Sequence, residues 1–360
     1  MTTPLHYEPP VVWFSEVGAE SVDLVGGKCA SLGELCRVGV PVPSGFAVTT
    51  HAHGAFLRDH GIEEVVGEEV RDLDYGDVVE VQAASSRIRA YVEGCEVPSA
   101  VQKVVLAHYE ELMDLSGGAS PVAVRSSATA EDHRNASFAG QLDTFLWIRD
   151  ADQVIRHLQL CWAGLYTPQA LSYRNQFRRD DDQVLMSVAV QQMVDARSAG
   201  VMFTLNPING DRSKIMVESC WGLGEGIVKG EVDPDRYLID KVTLRVLESH
   251  VAEKMTEYRF AAEEGGVVAC PVPDERRAQP SISDDELIEL VRFAREIEGH
   301  YGRPQDIEWA MGARRSSEDH VHILQSRDET VWSQRTADNP AAPGVSALDR
   351  VVAKMSGLPT

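Results

Sequence analysis

The chain has 360 residues, of which 43% are apolar and 25% are charged, a composition typical of a folded protein. Its 56 acidic and 34 basic residues give a net charge of −22, which argues against binding to nucleic acid or to an anionic membrane surface. No stretch approaches the roughly 20 continuous apolar residues of a membrane span, and the N-terminus does not have the pattern of a signal peptide. The six cysteines are scattered without zinc spacing, so we expect a reduced, cytoplasmic protein.

The first half of the sequence predicts a mixture of strands and helices. A turn at 24–27 precedes a helix at 30–38, and a mainly helical region spans 51–115. A loop of small polar residues is expected at 126–139. The predicted strands are 11–14, 46–49, 122–125 and 143–148, and further helices are expected within 151–178.

The second half predicts strands at 184–193, 200–204 and 214–219. Ser283 and Glu286 form a capping box at the start of an amphipathic helix. Strands at 306–310 and 320–324 are expected to pair as a hairpin, and a linker leads to a short apolar-faced segment at 346–355. Mixed strands and helices indicate an α/β or α+β fold in two lobes. The predicted division is 1–189, 190–330, and a linker with a short helix at 331–360.

A glycine pair and a lysine, Gly26-Gly27-Lys28, precede the first predicted helix. The glycines allow the backbone to approach a ligand, and a helix N-terminus beside a lysine favours an anion. The segment is not a Walker A motif, because Val22 stands where that motif requires glycine. Lys28 is therefore either a phosphate-binding residue or an ordinary surface lysine.

Arg125 ends a predicted strand and is followed by two serines and the polar loop. Its planar guanidinium suits phosphate oxygens, and loops of this kind often close over ligands. The alternative is an ion pair between Arg125 and Glu131 or Asp132.

Gln191, Gln192, Met193 and Val194 close a nearly apolar strand. Backbone groups at such a strand end suit the edge of an adenine, with Met193 against the ring; packing in the core is the alternative for Met193. The glycine-rich segment at 221–226 departs from the GxGxxG motif at Ile227. Its glycines therefore either bind phosphate or form a tight turn.

Glu308 and Gln325 lie at the ends of two strands that are expected to be neighbours. Carboxylate and amide oxygens are ligands that Mg²⁺ accepts, with waters and substrate phosphates at its remaining positions. Arg327 projects on the same side of its strand as Gln325. A buried ion pair is the alternative role for these residues.

The blocks that carry a resemblance occur in a fixed order along residues 11–330. They are VGGKCASLGEL (25–35), GVPVPSGFAVT (39–49), VAVRSSATAED (122–132), SFAGQLDTFL (137–146), QQMVDARSAGVMFTLNP (191–207), ESCWGLGEGIVKGEVDPDRY (218–237) and QDIEWA…ILQSR (305–327). Together they resemble the N-terminal nucleotide-binding domain of the phosphoenolpyruvate synthase, pyruvate phosphate dikinase and rifampicin phosphotransferase family.

The resemblance implies an ATP-grasp-like fold with ATP between two lobes, and ATP and Mg²⁺ as cofactors. Members of this family split ATP into AMP and phosphate, and the β-phosphate passes to a histidine on a separate, swivelling domain. The resemblance implies phosphate-binding roles for Lys28, Arg125 and Arg327. It also implies loop contacts at Gly140 and Thr144, an adenine-side strand at Gln191, Gln192, Met193 and Val194, and metal ligands at Glu308 and Gln325.

None of the eleven histidines lies in the Ser/Thr-His motif of the family's swivelling domain. We therefore expect a partner subunit that carries the phosphohistidine and the acceptor site. The chain is similar to the short subunit of two-component phenylphosphate synthases and alkylphenol kinases, which predicts phosphorylation of a phenol or alkylphenol. The 346–355 segment is expected to pack on its own lobe or to dock on the partner.

Other functions remain open at this point. The chain could be the ATP lobe of a split phosphoenolpyruvate synthase or antibiotic phosphotransferase, a non-catalytic ATP sensor, or a piece of a longer protein. The presence of Lys28, Arg125, Glu308, Gln325 and Arg327 together argues against the sensor, which could have lost some of these groups.

Overall fold

The computed structural model of the chain describes residues 9–118, 120–129, 132–133, 136–137, 144–176, 184–261, 266–312 and 321–332. The strands are β1 (Val11–Trp13), β2 (Gly45–Val48), β3 (Val122–Ala128), β4 (Asp132–His133), β5 (Ala136–Ser137), β6 (Thr144–Ile148), β7 (Met186–Gln192), β8 (Ala196–Phe203), β9 (Lys214–Trp221), β10 (Asp235–Asp240), β11 (Val246–His250), β12 (Thr256–Ala261), β13 (Gly266–Pro271), β14 (Gln305–Gly312) and β15 (Val321–Asp328). The α-helices are α1 (Val22–Val38), α2 (Thr50–Asp59), α3 (Ile62–Val70), α4 (Val78–Gly94), α5 (Ser99–Leu115), α6 (Ala151–Ala163), α7 (Pro168–Gln176), α8 (Glu225–Val228), α9 (Asp274–Arg277) and α10 (Asp284–Tyr301).

The first lobe is built on a five-stranded antiparallel sheet in the order β1-β2-β7-β3-β6. Helices from the region between β2 and β7 cover one face, where Phe56, Trp162 and Val188 belong to one core and are fully buried. β7 is the central strand, and its nearly continuous apolar run follows from cover on both faces.

The second lobe is built on a six-stranded antiparallel sheet in the order β11-β10-β9-β8-β14-β15. α10 packs on it through the predicted apolar stripe, in which Leu290, Val291 and Ala294 are fully buried. The predicted capping box is confirmed: Ser283 Oγ accepts from the Glu286 N–H, and Glu286 accepts from the Ser283 N–H.

α1 lies between the two sheets and joins the lobes. Its buried Cys29 and Leu35 share a core with Ala189 of the first sheet and with Ile307 and Ile323 of the second. This core continues from one sheet to the other, and the two-lobed, mixed α/β, ATP-grasp-like fold expected from the sequence is confirmed.

Several element boundaries differ from the predictions. α1 begins at Val22 rather than at residue 30, and Gly26 alone inside it departs from helical dihedral angles. Ser126 and Ser127 belong to β3 and not to a loop, because their backbone pairs with β7. The strand pairs β10–β11 and β12–β13 were not predicted. β11 is exposed along its whole length and no residue of β13 is buried, so neither strand alternates between buried and exposed side chains.

The predicted division at residue 190 falls inside β7, a strand of the first sheet, and the second sheet begins with β8 at Ala196. Gly140, the expected turn between β14 and β15, and the segment 346–355 lie outside the described residues. Within the described residues, no helix is both long enough and apolar enough to cross a bilayer.

Candidate functional site

Arg125 lies on β3 where the two lobes face each other. Its guanidinium donates to Gln325 Oε1 at 2.7 Å and to the Leu324 carbonyl at 3.2 Å. The Glu308 carboxylate lies 3.5 Å away, and Gln191 Oε1 accepts at 3.4 Å. Three of these four acceptors belong to the second lobe, so Arg125 ties the lobes together at this point. The carboxylate found beside Arg125 is Glu308; Glu131 and the side chain of Asp132 lie outside the described residues.

The turn at Gly26 holds the start of α1 against β3. Gly26 has φ +68°, and a Cβ there would lie 2.1 Å from the Ser127 carbonyl oxygen, so only glycine fits. Ser127 Oγ donates to the Val25 carbonyl at 2.8 Å and accepts from the Cys29 N–H at 3.2 Å. The glycine turn is therefore fixed to the strand that carries Arg125.

Lys28 follows directly in α1. Its Nζ donates to the Ser126 carbonyl at 3.1 Å, one residue beyond Arg125 on β3. The structure therefore brings the two predicted phosphate-binding cations, Lys28 and Arg125, to one place.

Glu308 and Gln325 are directly opposite each other on the antiparallel strands β14 and β15. Opposite residues of an antiparallel pair project to the same side of the sheet, so the two side chains share one face. A carboxylate and an amide oxygen side by side form a donor set that fits Mg²⁺, which takes few protein ligands and completes its shell with phosphate and water. The described residues contain no group of three or more His, Cys, Asp or Glu side chains that could hold a metal.

Arg327 belongs to the next pair on the same face of these strands, two positions further along. It lies opposite Asp306, and the two side chains form an ion pair with an N–O distance of 2.6 Å. Burial raises the pKa of Asp306, whereas the charge of Arg327 lowers it. Asp306, which the sequence analysis did not single out, holds Arg327 on the face that carries Glu308 and Gln325. The signal that could have found it is its spacing of two residues from Glu308 in a predicted strand.

At these residues the two lobes face each other across a narrow crevice that has no room for a water molecule in this structure. Its walls are formed by Lys28, Leu32, Arg125, Ala189, Leu324 and Gln325. α1, the first sheet and β15 each contribute to it. We refer to this space as the crevice.

Thr144 and Gln191 adjoin Arg125 on the first sheet. Thr144 on β6 lies directly opposite Arg125 and is exposed. Gln191 is only 3% exposed, and its side-chain oxygen accepts from the Arg125 guanidinium, so its side chain lies beside Arg125.

The end of β7 is held by backbone hydrogen bonds within the first lobe. The N–H groups of Gln192 and Met193 donate to the carbonyls of Ser44 and Pro121, at 2.8 and 2.9 Å. Met193 Sδ also accepts from the Trp147 N–H. An adenine at this edge would therefore meet the backbone that follows Met193, starting at Val194.

Val194 leads into a small apolar cluster on the second sheet. Ala196, Ala199 and Ala310 are buried there, and Val194, Leu223 and Leu324 pack on them half-buried. Leu324 also lines the crevice, so apolar surface continues from Lys28 and Arg125 towards the end of β7.

The glycine-rich segment at 221–226 makes a tight turn. Gly222 has φ +73°, and its N–H donates to the Arg197 carbonyl at 2.9 Å. The Leu223 N–H donates to the Tyr258 carbonyl at 2.9 Å. Because these donors are used within the protein, the structure favours the turn over the phosphate-binding alternative.

Trp147 and Phe260 stack across the two lobes. Their ring centroids are 4.4 Å apart with an interplanar angle of 13°, and the Arg149 guanidinium lies 4.6 Å from the centre of the Phe260 ring. Trp147 has φ +66°, a strained conformation for an aromatic residue, and it adjoins Met193. This stack joins β6 to the β12–β13 hairpin on the side of the expected adenine.

Fold and crevice together define a two-lobed nucleotide-binding domain, in which a lysine and an arginine face a carboxylate and amide pair across the lobe boundary. The family model described as "Pyruvate phosphate dikinase, AMP/ATP-binding domain" matches residues 22–344. The chain belongs to this family.

Among similar proteins, the "Probable phosphoenolpyruvate synthase" of Methanothermobacter thermautotrophicus is 43% identical over 91% of this chain and 47% of its own length. The "Phosphoenolpyruvate synthase" of Aeropyrum pernix is 37% identical over 92% of this chain and 44% of its own length. The "Phosphoenolpyruvate synthase" of Deinococcus radiodurans is 41% identical over 89% of this chain and 42% of its own length. The chain spans somewhat less than half the length of these relatives. The chain was also compared with the crystal structure of PH1788 from Pyrococcus horikoshii Ot3, and the match spans 88% of this chain and 94% of the PH1788 chain. The TM-score is 0.33 and the sequence identity is 10%, so the likeness is too weak to inform fold or function.

Proposed function

We propose that this chain binds MgATP in the crevice and is the ATP-cleaving part of a dikinase-type phosphotransferase. The observation that carries the proposal is the meeting of Lys28 and Arg125 with Glu308 and Gln325 at the lobe boundary. These residues come from distant parts of the chain, and together they have the chemistry that a triphosphate and a divalent cation require.

The side chains of the crevice supply positive charge against the phosphates. Lys28 offers a point charge and Arg125 a planar fork, and we assign Arg327, held by Asp306, as a third cation beside them. Bound Mg²⁺, held by Glu308 and Gln325, supplies further neutralisation of charge on the phosphate oxygens. Phosphoryl transfer depends mainly on such positioning and charge stabilisation, which also offset the repulsion between ATP and a chain of charge −22.

The contacts on the nucleotide side are part of the same proposal. Thr144 and Gln191 adjoin Arg125, and Gln192, Met193 and Val194 form the strand end at which the adenine would lie. We propose that Gly140 contacts the phosphates from the loop that precedes β6.

The reaction we propose converts ATP, water and a histidine into AMP, inorganic phosphate and a phosphohistidine. The bond between the α- and β-phosphates breaks as the histidine nitrogen bonds to the β-phosphorus, which releases AMP. Water cleaves the bond between the β- and γ-phosphates, which releases the γ-phosphate as inorganic phosphate and leaves the β-phosphate on the histidine. Within the described residues, no histidine lines the crevice, which supports a nucleophile brought by another domain or by a partner subunit. We place this activity in the cytoplasm.

The comparisons bear on the acceptor. Relatives between 37% and 43% identical carry the name phosphoenolpyruvate synthase, and this favours formation of phosphoenolpyruvate over phosphorylation of a phenol or alkylphenol. We therefore propose pyruvate as the acceptor, which was the alternative in the sequence analysis. The phenol acceptor is the competing outcome of the experiment.

The experiment combines this chain, ATP labelled at the β-phosphate, and the polypeptide that carries the histidine domain, with pyruvate in one arm and phenol or an alkylphenol in the other. We expect AMP in both arms and labelled product only with pyruvate. Labelled aryl phosphate would overturn the acceptor but leave ATP cleavage standing.

Lys28→Ala tests the assignment of the crevice. It should abolish AMP formation, and Lys103→Ala, which removes an exposed lysine on α5, should leave it unchanged. AMP formation at the normal rate by Lys28→Ala would contradict the proposal.

A further inference from the structure

A second pocket opens in the second lobe, beside the C-terminal half of α10. Its volume is about 330 Å³, and its charged walls are Arg212, Lys241, Arg295, Arg303 and Glu298. None of these residues lines the crevice. The pocket therefore shares no charged residue with the crevice.

The pocket concentrates positive charge in an acidic chain. Four cationic side chains face one carboxylate, although the chain has only 34 basic residues against 56 acidic ones. Like charges grouped around one space repel each other unless an anion offsets them. The grouping therefore points to an anionic ligand.

Protein acceptors satisfy only two of the four cations. Lys241 Nζ lies 2.8 Å from the Glu298 carboxylate, and Arg303 Nε donates to Asp328 at 2.6 Å. Arg212 and Arg295 are exposed and have no ion pair or hydrogen bond within the described residues. Two guanidinium groups are thus available to a ligand.

The dipole of α10 does not by itself explain why four cationic side chains gather at this pocket. Cations near a helix C-terminus stabilise its dipole, which could explain Arg295 and Arg303. Arg212, however, comes from the connection between β8 and β9, and Lys241 from the turn between β10 and β11. Three separate parts of the chain therefore bring positive charge to one pocket.

Two glycines of the α10 end belong to this pocket. Gly299 and Gly302 form part of its wall, and a Cβ added at either position would meet nothing within 4 Å. A guanidinium fork binds phosphate oxygens through two parallel hydrogen bonds. The volume lies at the lower end of the range for small-molecule sites.

We propose that this pocket binds a small phosphorylated metabolite by its phosphate group. Arg212 and Arg295 grip the phosphate oxygens, and Lys241 and Arg303 add positive charge around them. The site takes a ligand of its own and does not depend on the proposed ATP site.

The experiment is a calorimetric titration of the full chain with inorganic phosphate at physiological salt. Arg212→Ala and Arg295→Ala should each weaken phosphate binding at least about tenfold, as expected for loss of a charge-assisted hydrogen bond. Arg295→Lys should also weaken it, because lysine keeps the charge without the fork. Arg292→Ala, the control, removes an exposed arginine of α10 outside the pocket and should leave binding unchanged.

Variants of the crevice separate this site from the proposed ATP site. Lys28→Ala should retain phosphate binding to the pocket, and Arg295→Ala should retain ATP binding. Phosphate binding that disappears in Lys28→Ala but persists in Arg295→Ala would place the phosphate in the crevice and overturn the proposal. Equal weakening by Arg292→Ala and Arg295→Ala, or no binding of phosphate at all, would overturn it as well.

Discussion

The Arg125 guanidinium donates to the side-chain oxygen of Gln325 at 2.7 Å, across the boundary between two lobes and across 200 positions of the sequence. The same guanidinium has the Glu308 carboxylate at 3.5 Å. Phosphate oxygens entering the crevice would replace these two acceptors, and the freed oxygens of Glu308 and Gln325 would then be available to a cation. If the proposed function is right, binding of the triphosphate and binding of the metal would be linked through this one arginine.

Replacement of Arg125 by lysine should weaken MgATP binding at least about tenfold, because lysine keeps the charge but loses the fork that bonds two acceptors together. Calorimetric titration measures this affinity. Arg156→Lys is the matched control: Arg156 bonds Glu93 on the surface of the first lobe, and its replacement should have no effect. Equal affinity in Arg125→Lys and the unaltered protein would contradict the role given to Arg125.

Glu308→Gln should raise the Mg²⁺ concentration required for half-maximal ATP binding, by roughly tenfold, since a neutral amide replaces a charged oxygen ligand of a hard cation. A magnesium titration at fixed ATP gives this value. Glu69→Gln on α3 of the first lobe, where Glu69 accepts from Arg87, makes the same chemical change away from the crevice. If both variants show the same magnesium requirement, Glu308 is not a ligand.

Gly26→Ala should destabilise the protein more than Gly39→Ala. Both glycines have positive φ, which costs an alanine about 1–2 kcal/mol. Only at Gly26 would the new Cβ also collide with backbone, 2.1 Å from the Ser127 carbonyl oxygen, whereas at Gly39 it would meet nothing within 4 Å. We expect a loss of roughly 3 kcal/mol or more for Gly26→Ala in the free energy of unfolding, measured with denaturant. Losses of equal size would contradict the close fit of the turn to β3.

Cys29 should make stability fall in alkaline solution. Burial raises the pKa of its thiol to about 11, from an ordinary value of 9.0. Above pH 9 the thiol therefore ionises in the unfolded chain but stays protonated in the folded one, and the unfolded state gains stability until the pH reaches the folded pKa. The loss reaches roughly 2–3 kcal/mol near pH 11.

The measurement is the free energy of unfolding between pH 8 and 10.5 in the unaltered protein and in Cys29→Ala. The variant should show a shallower fall with pH, because the other titrating groups are common to both proteins. Cys36→Ala is the control, since Cys36 is only half-buried and burial raises its pKa without shifting it so far. Parallel curves for Cys29→Ala and the unaltered protein would show that Cys29 does not titrate as described.

Local signals in the sequence were enough to predict several of the elements that position the candidate site. Ser283 and Glu286 cap α10 as predicted, because a capping box acts within one helical turn. Glu308 and Gln325 pair as neighbouring strand residues, and the strand periodicity also put Arg327 on the side of Gln325. The backbone conformation at Gly26 agrees with the expectation that a glycine there allows a close approach, although the partner is β3 itself.

Contacts between distant residues were not accessible from the sequence. Nothing near Gln191 indicates that its amide turns to Arg125, or near Trp147 that its ring meets Phe260 of the other lobe. The fully buried pair of Lys254 and Asp235 was missed for the same reason. Such side chains pair because the assembled sheets bring them together. The residues next to them in the sequence contain no signal that predicts these contacts.

The most direct test of the central claim is a crystal structure of the protein with Mg²⁺ and a non-hydrolysable ATP analogue. We expect the phosphates within hydrogen-bonding distance of Lys28 and Arg125, the metal between them and the Glu308 and Gln325 side chains, and the adenine beside Val194. A nucleotide bound elsewhere, with the bonds from Arg125 to Gln325 and Glu308 unchanged, would contradict the account.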